Sequence, residues 1–226
     1  MTKEPVNFYI DGYNLYRGIK ESPTLYPYYL WLNLSELCTN LVDKKDEVVK
    51  TIRYFTAFPL RDTPEKGERR LRHETFVNAA RAFDCRVEPS LGEMKKVTRQ
   101  CEAINGCGLQ FEKTVEKQTD VALGSTMVAD IYSGQCRHVY VITGDSDVVP
   151  ALRLVRLYKE HYVRIRFWFP PNRDGHTDEI KSNCDSWNTL DETTIMLRQL
   201  PLDVNTPSGG ILSKPFRWRT PPRANT

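Results

Sequence analysis

The chain has 226 residues, of which 40% are hydrophobic, and 32 basic against 29 acidic residues give a formal net charge of +3. This length and hydrophobic content support one sizeable core, and the nearly balanced charge excludes an argument for nucleic-acid binding from net charge alone. No apolar stretch is long enough for a signal sequence or a membrane span, and six scattered cysteines do not indicate a disulfide scaffold. A cytoplasmic location without membrane association is therefore expected.

Strand and helix patterns alternate along the sequence. Short apolar runs predict strands over residues 6–10, 48–58, 138–143 and 163–169. Apolar residues at helical spacing, with Asn33 or Ser35 as the first N-cap and Gly134 as a stop, predict helices over residues 35–43, 65–83, 119–132 and 147–161. The alternation predicts a central, mostly parallel sheet with helices on both faces, which is a three-layer α/β/α sandwich.

Two segments depart from this alternation. Residues of about 90–117 alternate polar and apolar side chains around Asn105-Gly106, which is typical of a β-hairpin insertion. After Leu200 the sequence is rich in proline and arginine, so residues 201–226 are predicted to be an extended tail beyond a domain of residues 1–200. The tail is expected to contact RNA, a protein partner or a second copy of the chain, or to pack onto the body through Phe216 and Trp218.

Three short strings place aspartates where an apolar run ends. They are Ile10-Asp11-Gly12-Tyr13-Asn14, Thr119-Asp120-Val121-Ala122 and Thr143-Gly144-Asp145-Ser146-Asp147. Asp11 and Asp145 follow predicted strands, at the edge where open parallel sheets bind ligands, and Asp120 begins a helix that can lie beside them. Crowded carboxylates raise one another's pKa unless a cation or proton compensates, and Mg²⁺ and Mn²⁺ prefer oxygen ligands. The strings therefore predict a metal site.

The same strings resemble a known family. The segments from Phe8 to Leu15, from Glu116 to Val121 and from Val141 to Asp147 are similar to the NYN domain family of LabA-like proteins, within the PIN-like nucleases. The resemblance covers about residues 5–200 and implies a three-layer α/β sandwich with a magnesium- or manganese-dependent ribonuclease site. The implied site residues are Asp11, Asp120 and Asp145 as metal ligands, Asp147 as a fourth ligand or nearby base, and Asn14 as a group that orients a ligand or water.

The activity implied by the resemblance is hydrolysis of a phosphodiester in single-stranded RNA by a metal-bound water. The hydroxyls of Thr143 and Ser146 are candidates for binding phosphate or water. Basic residues of the predicted helix over residues 65–83 are candidates for binding the neighbouring phosphates; these are Arg69, Arg70 and Arg72. Their alternative role is a solvated helix face.

Two other functions compete with the nuclease. A phosphatase of the haloacid dehalogenase kind needs a second aspartate two residues after its nucleophile, but Tyr13 stands at that distance from Asp11. A non-catalytic NYN module that binds RNA or protein is the other alternative, and loss of a central carboxylate would be its mark. All three central carboxylates are present.

The aspartates also have purely structural explanations. Asp120 and Asp147 suit helix N-caps, and Asp11 before Gly12 suits a turn. Because the three strings occur together in the family's order, metal binding is favoured for Asp11, Asp120 and Asp145. Asp147 stays open between ligand and cap.

Cysteines and tyrosines leave further alternatives open. Cys101 and Cys107 invite a zinc interpretation, but paired ligands at suitable spacing are lacking, which favours an ordinary hairpin with free or packed thiols. Tyr13 and Tyr16 suit stacking on unpaired bases, and equally suit a core or a dimer surface.

Overall fold

The computed structural model describes residues 2–101, 107–157, 162–173 and 178–220. The strands are, in chain order, β1 (Glu4–Asp11), β2 (Glu47–Thr56), β3 (Val87–Leu91), β4 (Glu93–Gln100), β5 (Gln110–Lys117), β6 (His138–Ile142), β7 (Arg164–Phe169), β8 (Ser186–Thr189), β9 (Asp203–Asn205) and β10 (Ile211–Ser213). The helices are α1 (Gly12–Glu21), α2 (Leu34–Leu41), α3 (Pro64–Phe83), α4 (Thr119–Tyr132), α5 (Val149–Leu157), α6 (Asp178–Lys181) and α7 (Glu192–Leu197). Of the helices described, none has the length and apolar character needed to cross a membrane.

The central sheet has six parallel strands in the order β3-β2-β1-β6-β7-β8. Its two faces bury separate cores because successive side chains of a strand point to opposite sides. In β1, Phe8 and Ile10 join the core under α1, α2 and α3, whereas Tyr9 joins the core under α4, α5 and α6. The predicted three-layer α/β/α sandwich is confirmed.

The strand order reverses between β1 and β6. The chain builds the sheet outward from β1 through β2 to β3, and then from β6 through β7 to β8 on the other side. At such a reversal the following connections leave in opposite directions and open a crevice at the carboxyl ends of the two strands. Asp11 and Thr143 lie at these two strand ends.

The predicted hairpin insertion is confirmed as β4 paired antiparallel with β5, from Glu93 opposite Lys117 to Gln100 opposite Gln110. The Asn105-Gly106 turn lies outside the described residues. Gly92 connects β3 to the hairpin, and its backbone lies very close to that of Lys117. A Cβ on residue 92 would lie 2.6 Å from the carbonyl oxygen of Lys117. Only glycine fits this approach, which sets β5 beside the start of α4.

The C-terminal segment corrects the sequence-based expectation. Residues 203–213 form the β9–β10 hairpin, and Trp218 is 8% exposed with its ring 6.3 Å from that of Trp31. The prediction of an extended tail is wrong for these residues, whereas packing through Trp218 is confirmed. Phe216 remains 84% exposed, and residues 221–226 lie outside the described part of the chain.

Two helices near the crevice also differ from expectation. Residues 12–21, for which the sequence predicted no helix, form α1. The helix predicted from residue 147 begins instead as a 3₁₀ turn, Ser146–Val148, and continues as α5. Residues 158–161, at its predicted end, are not among those described.

Candidate metal centre and adjoining cavity

Asp11 is the fixed point of the crevice, because it ends β1 and caps α1. Its Oδ1 accepts the backbone N–H of Asn14 at 2.9 Å, and its Oδ2 accepts the hydroxyl of Thr143 at 2.8 Å. The carboxylate is buried. Burial raises the pKa of Asp11 to about 6 against these hydrogen bonds, and the negative charges of Asp120 and Asp145 add to the rise.

Asn14 and Thr143 hold the loop that follows β6. Oδ1 of Asn14 accepts the N–H of Gly144 at 3.1 Å, and Oγ1 of Thr143 accepts the N–H of Asp145 at 3.1 Å while donating to Asp11. The hydroxyl predicted to bind phosphate or water is thus engaged within the protein. Both side chains position Asp11 and Asp145 relative to each other.

An acidic triad lies in front of Asp11. Asp120, Asp145 and Asp147 each offer a carboxylate oxygen within 4.8 Å of the others. Burial raises the pKa of Asp120, and the charges of Asp145 and Asp147 raise it further. The structure therefore groups Asp147 with two of the three predicted ligands, while Asp11 lies just outside this triad.

The N-cap explanations for Asp120 and Asp147 are wrong. Oδ1 of Asp145 accepts the N–H of Asp147 at 3.0 Å, so Asp145 caps the 3₁₀ turn. The residue that precedes α4 is Gln118, and Asp120 lies within the first turn. The side chains of Asp120 and Asp147 therefore cap neither helix, and both carboxylates belong to the triad.

Glu116 is a site residue that the sequence analysis did not single out. It lies in β5 opposite Met94, and its Oε1 is buried without a hydrogen-bond partner in the described structure. Burial raises the pKa of Glu116 to about 7 against a hydrogen bond between its carboxyl group and the side chain of Thr119, and the charges of Asp11 and Asp120 add to the rise. Glu116 belongs to the segment from Glu116 to Val121 that resembles the NYN family. Its side chain reaches the crevice only because the β4–β5 hairpin folds back to that edge of the sheet.

This group of five carboxylates, the acidic site, comprises Asp11, Glu116, Asp120, Asp145 and Asp147. Among the described residues, none of the five forms an ion pair with lysine, arginine or histidine. Uncompensated carboxylates at this spacing fit a divalent cation, whose ligands would be the hard oxygens that Mg²⁺ and Mn²⁺ prefer. The orphaned oxygen of Glu116 is consistent with the same need for a cation or a donor.

A cavity of about 520 Å³ adjoins the acidic site. Glu116 belongs to both regions, and Gly12, which lines the cavity, directly follows Asp11 of the acidic site. Gly12 allows α1 to pass close to β2, since a Cβ there would lie 2.5 Å from Cζ of Tyr54 and 2.8 Å from the carbonyl oxygen of Phe55. The buried part of the lining is apolar and aromatic: Leu15, Ile19, Leu30, Leu32, Tyr54 and Phe76.

Two of the three arginines that were predicted to bind phosphate line this cavity, and the third does not. Arg69 and Arg72 line it, and each also pairs with a glutamate one helical turn away. Arg70 does not line it, because its guanidinium donates to Glu74 at 2.6 Å and to the carbonyl of Pro59. Ser146 is exposed beside Asp145.

Comparisons with known proteins leave the family open. No family model matches the chain. The chain is 29% identical, over 96% of its length and 77% of the relative's, to 6-hydroxy-3-succinoylpyridine 3-monooxygenase HspA of Pseudomonas putida. A solved structure of a protein of unknown function from Vibrio parahaemolyticus is 11% identical and covers 84% of this chain and 94% of its own, with a TM-score of 0.47. That structural similarity carries no functional argument.

Proposed function

We propose that the protein is a metal-dependent ribonuclease of the NYN type that hydrolyses phosphodiester bonds in single-stranded RNA. The observation that carries the proposal is the acidic site at the switch point of the sheet, where carboxylate oxygens of three aspartates lie within 4.8 Å of one another. Divalent Mg²⁺ or Mn²⁺ relieves such repulsion and also binds phosphate oxygens.

The side chains have distinct tasks in this proposal. Asp120, Asp145 and Asp147 would hold the ion, and Asp11 is the adjoining carboxylate, whose Oδ2 accepts the hydroxyl of Thr143 at 2.8 Å. When bound, the ion supplies positive charge that lowers the pKa of a water and offsets the charge of the phosphate. Arg69 and Arg72 supply positive charge on the cavity side for neighbouring phosphates.

The direct test is cleavage of end-labelled single-stranded RNA by the purified protein with Mn²⁺, with Mg²⁺ or with EDTA. Cleavage with either metal and its loss in EDTA are expected. Asp145→Asn keeps an N-cap side chain and serves as the inactive control, while Asp46→Asn changes an exposed aspartate at the opposite edge of the sheet. RNA binding without cleavage under any condition would favour the non-catalytic module instead.

A second candidate, hydroxylation of a pyridine ring, is favoured by the sequence relative. The similarity to a 6-hydroxy-3-succinoylpyridine 3-monooxygenase extends over 96% of this chain, and the aromatic cavity beside the acidic site has room for one ring. Incubation with 6-hydroxy-3-succinoylpyridine, O₂ and NADH or reduced flavin tests it. Uptake of O₂ that depends on the pyridine would replace the nuclease proposal, and the nuclease proposal expects none.

A further inference from the structure

We infer that the cavity beside the acidic site is a nucleoside pocket, which takes one unpaired nucleoside of an RNA strand while the phosphate next to it lies at the carboxylates. The inference rests on the proposed function and adds the form of the substrate: a strand with a nucleotide free to leave its stack. Four properties of the cavity carry it.

The size of the pocket limits its occupant to one small molecule or one nucleotide unit. Its volume of about 520 Å³ falls within the range of roughly 300–1,000 Å³ found for pockets that bury one compact ligand. A base that is paired within a duplex cannot enter such a space without first being extruded, which costs a few kcal/mol. The cavity therefore selects unpaired RNA.

The depth of the pocket suits a flat, mostly uncharged ring. Tyr54 and Phe76 are buried there at a ring-centroid distance of 6.0 Å, and further aromatic residues of the lining are Tyr13, Tyr16, Tyr26 and Trp218. Stacking on such rings is a sequence-tolerant way of holding a base. The lining is suited to a base and unsuited to a phosphate, which is strongly hydrated.

Polar groups in the lining can meet the edge of a base. His73 lies near Thr56, with Nε2 at 3.2 Å from the hydroxyl, and burial lowers the pKa of His73 to about 4, so its ring is neutral at pH 7. The buried Oε1 of Glu116 has no partner in the described structure and lines the same cavity. A donor on a base or ribose would satisfy this oxygen.

The charge distribution matches the strand that would leave the pocket. The exposed charged residues of the lining are the anions Glu21 and Glu65 and a larger number of cations, which are Arg17, Lys20, Arg69 and Arg217. Arg17 and Lys20 have no acidic partner within 4 Å in the described part of the chain. Apolar depth with a cationic rim complements a base whose backbone stays at the surface.

The hairpin fixes the pocket next to the chemistry. Met94, Thr114 and Glu116 line the cavity, and Met94 faces Glu116 across the β4–β5 ladder. The neighbouring Lys117 lines a shallow groove with Val121 instead, which fits the alternation along a strand. A nucleoside in the pocket thus lies beside Glu116. The negative charges of Asp11 and Asp120 help to raise the pKa of this glutamate.

The test measures binding separately from cleavage. Nucleoside 5′-monophosphates are titrated by calorimetry into Asp145→Asn protein without metal, and into the same protein carrying Tyr16→Ala or Tyr16→Phe. We expect Tyr16→Ala to weaken binding about 10-fold, as loss of one stacking ring does, and Tyr16→Phe to stay within about twofold. In otherwise wild-type protein, Tyr16→Ala is expected to raise KM for single-stranded RNA about 10-fold and leave kcat nearly unchanged.

The outcomes separate this inference from the proposed function. Metal-dependent cleavage with no effect of Tyr16→Ala on KM or nucleotide binding overturns the pocket and leaves the nuclease standing. Nucleotide binding that depends on Tyr16, without cleavage of RNA, supports the pocket and rejects the nuclease. Binding of 6-hydroxy-3-succinoylpyridine in place of every nucleotide overturns the pocket as a nucleoside site.

Discussion

Carboxylates at the two edges of the central sheet have pKa values that are shifted in opposite directions. At the amino edge, Glu47 accepts the hydroxyl of Tyr140 at 2.6 Å, and Arg166 and His138 lie within 3.2 and 3.4 Å of it. Burial alone would raise the pKa of Glu47, but the hydrogen bonds from Tyr140 and the backbone of Asp43, together with the charge of Arg166, outweigh it, and the pKa is lowered. The charge of Glu47 is compensated by Arg166, although Oε1 makes no hydrogen bond and has only the ring of His138 nearby.

At the carboxyl edge the same fold leaves the acidic site without cationic partners among the described residues, and the pKa values of Asp11, Glu116 and Asp120 are raised. The difference shows that this chain can place a cation beside a buried carboxylate where only stability is needed. Repulsion retained at a switch point is costly for stability, which favours a role in binding.

The largest expected effect is the loss of activity in Asp145→Asn. Removing one carboxylate from the triad should lower the cleavage rate at least ~10³-fold, or roughly 4 kcal/mol in activation free energy. Circular dichroism should show an unchanged fold because asparagine also caps the 3₁₀ turn. Asp46→Asn should retain the wild-type rate, and equal activity of both variants would reject the site.

A substitution at the amino edge should change the stability of the protein and leave its activity unchanged. Arg166→Met leaves Glu47 buried with less compensation, so the free energy of unfolding is expected to fall by about 2–3 kcal/mol, reduced from the full cost because Arg166 is partly exposed. Urea titrations measure this, with Arg164→Met, an exposed neighbour on β7, as the matched control. A change in kcat of the folded variant would contradict the separation of the two edges.

The fold itself was largely predictable, because strand and helix periodicities are local. Predicted strand ends at residues 10 and 143 lie within one residue of the observed ends at Asp11 and Ile142. Helix α1 was missed although Asp11 is a good N-cap and Leu15, Gly18 and Ile19 bury one face at helical spacing, since Gly12 and Gly18 are poor helix formers. The C-terminal hairpin was missed because its two short strands pack against α3, far away in the sequence.

The site was predictable only where residues end central strands. Asp11 and Asp145 follow β1 and β6, which pair directly, so their proximity follows from a parallel sheet. Glu116 could not be placed, because its position depends on how the β4–β5 hairpin packs against α4 at Gly92. The order of caps around Asp145 and Asp147 depends on a 3₁₀ turn that helical periodicity does not reveal.

The pH dependence of stability should differ between the wild type and Asp11→Asn in EDTA. The pKa of Asp11 is raised to about 6 in the folded state, so its contribution is fully favourable below the unfolded pKa and is lost as pH rises through 6. Wild type should lose about 2 kcal/mol relative to Asp11→Asn between pH 4 and pH 7. Urea titrations at each pH measure the difference, and a pH-independent difference would contradict the raised pKa.

The smallest effect concerns repulsion within the triad. In EDTA, Asp120→Asn should stabilise the protein by about 0.5 kcal/mol, because one of three crowded charges is removed and the site is partly exposed to solvent, which weakens their repulsion. Thermal denaturation should show a slightly higher Tm than wild type. Saturating Mn²⁺ should reverse the order, since only the intact triad gains stability from the ion.

The most direct measurement is Mn²⁺ binding followed by electron paramagnetic resonance of the free ion. The wild type and Asp46→Asn are expected to remove Mn²⁺ from the free pool stoichiometrically at micromolar to millimolar concentrations. Asp145→Asn, with the fold retained, should bind at least about 10-fold more weakly. If the wild type binds no Mn²⁺, or if Asp145→Asn binds it as tightly, the acidic site is not a metal centre.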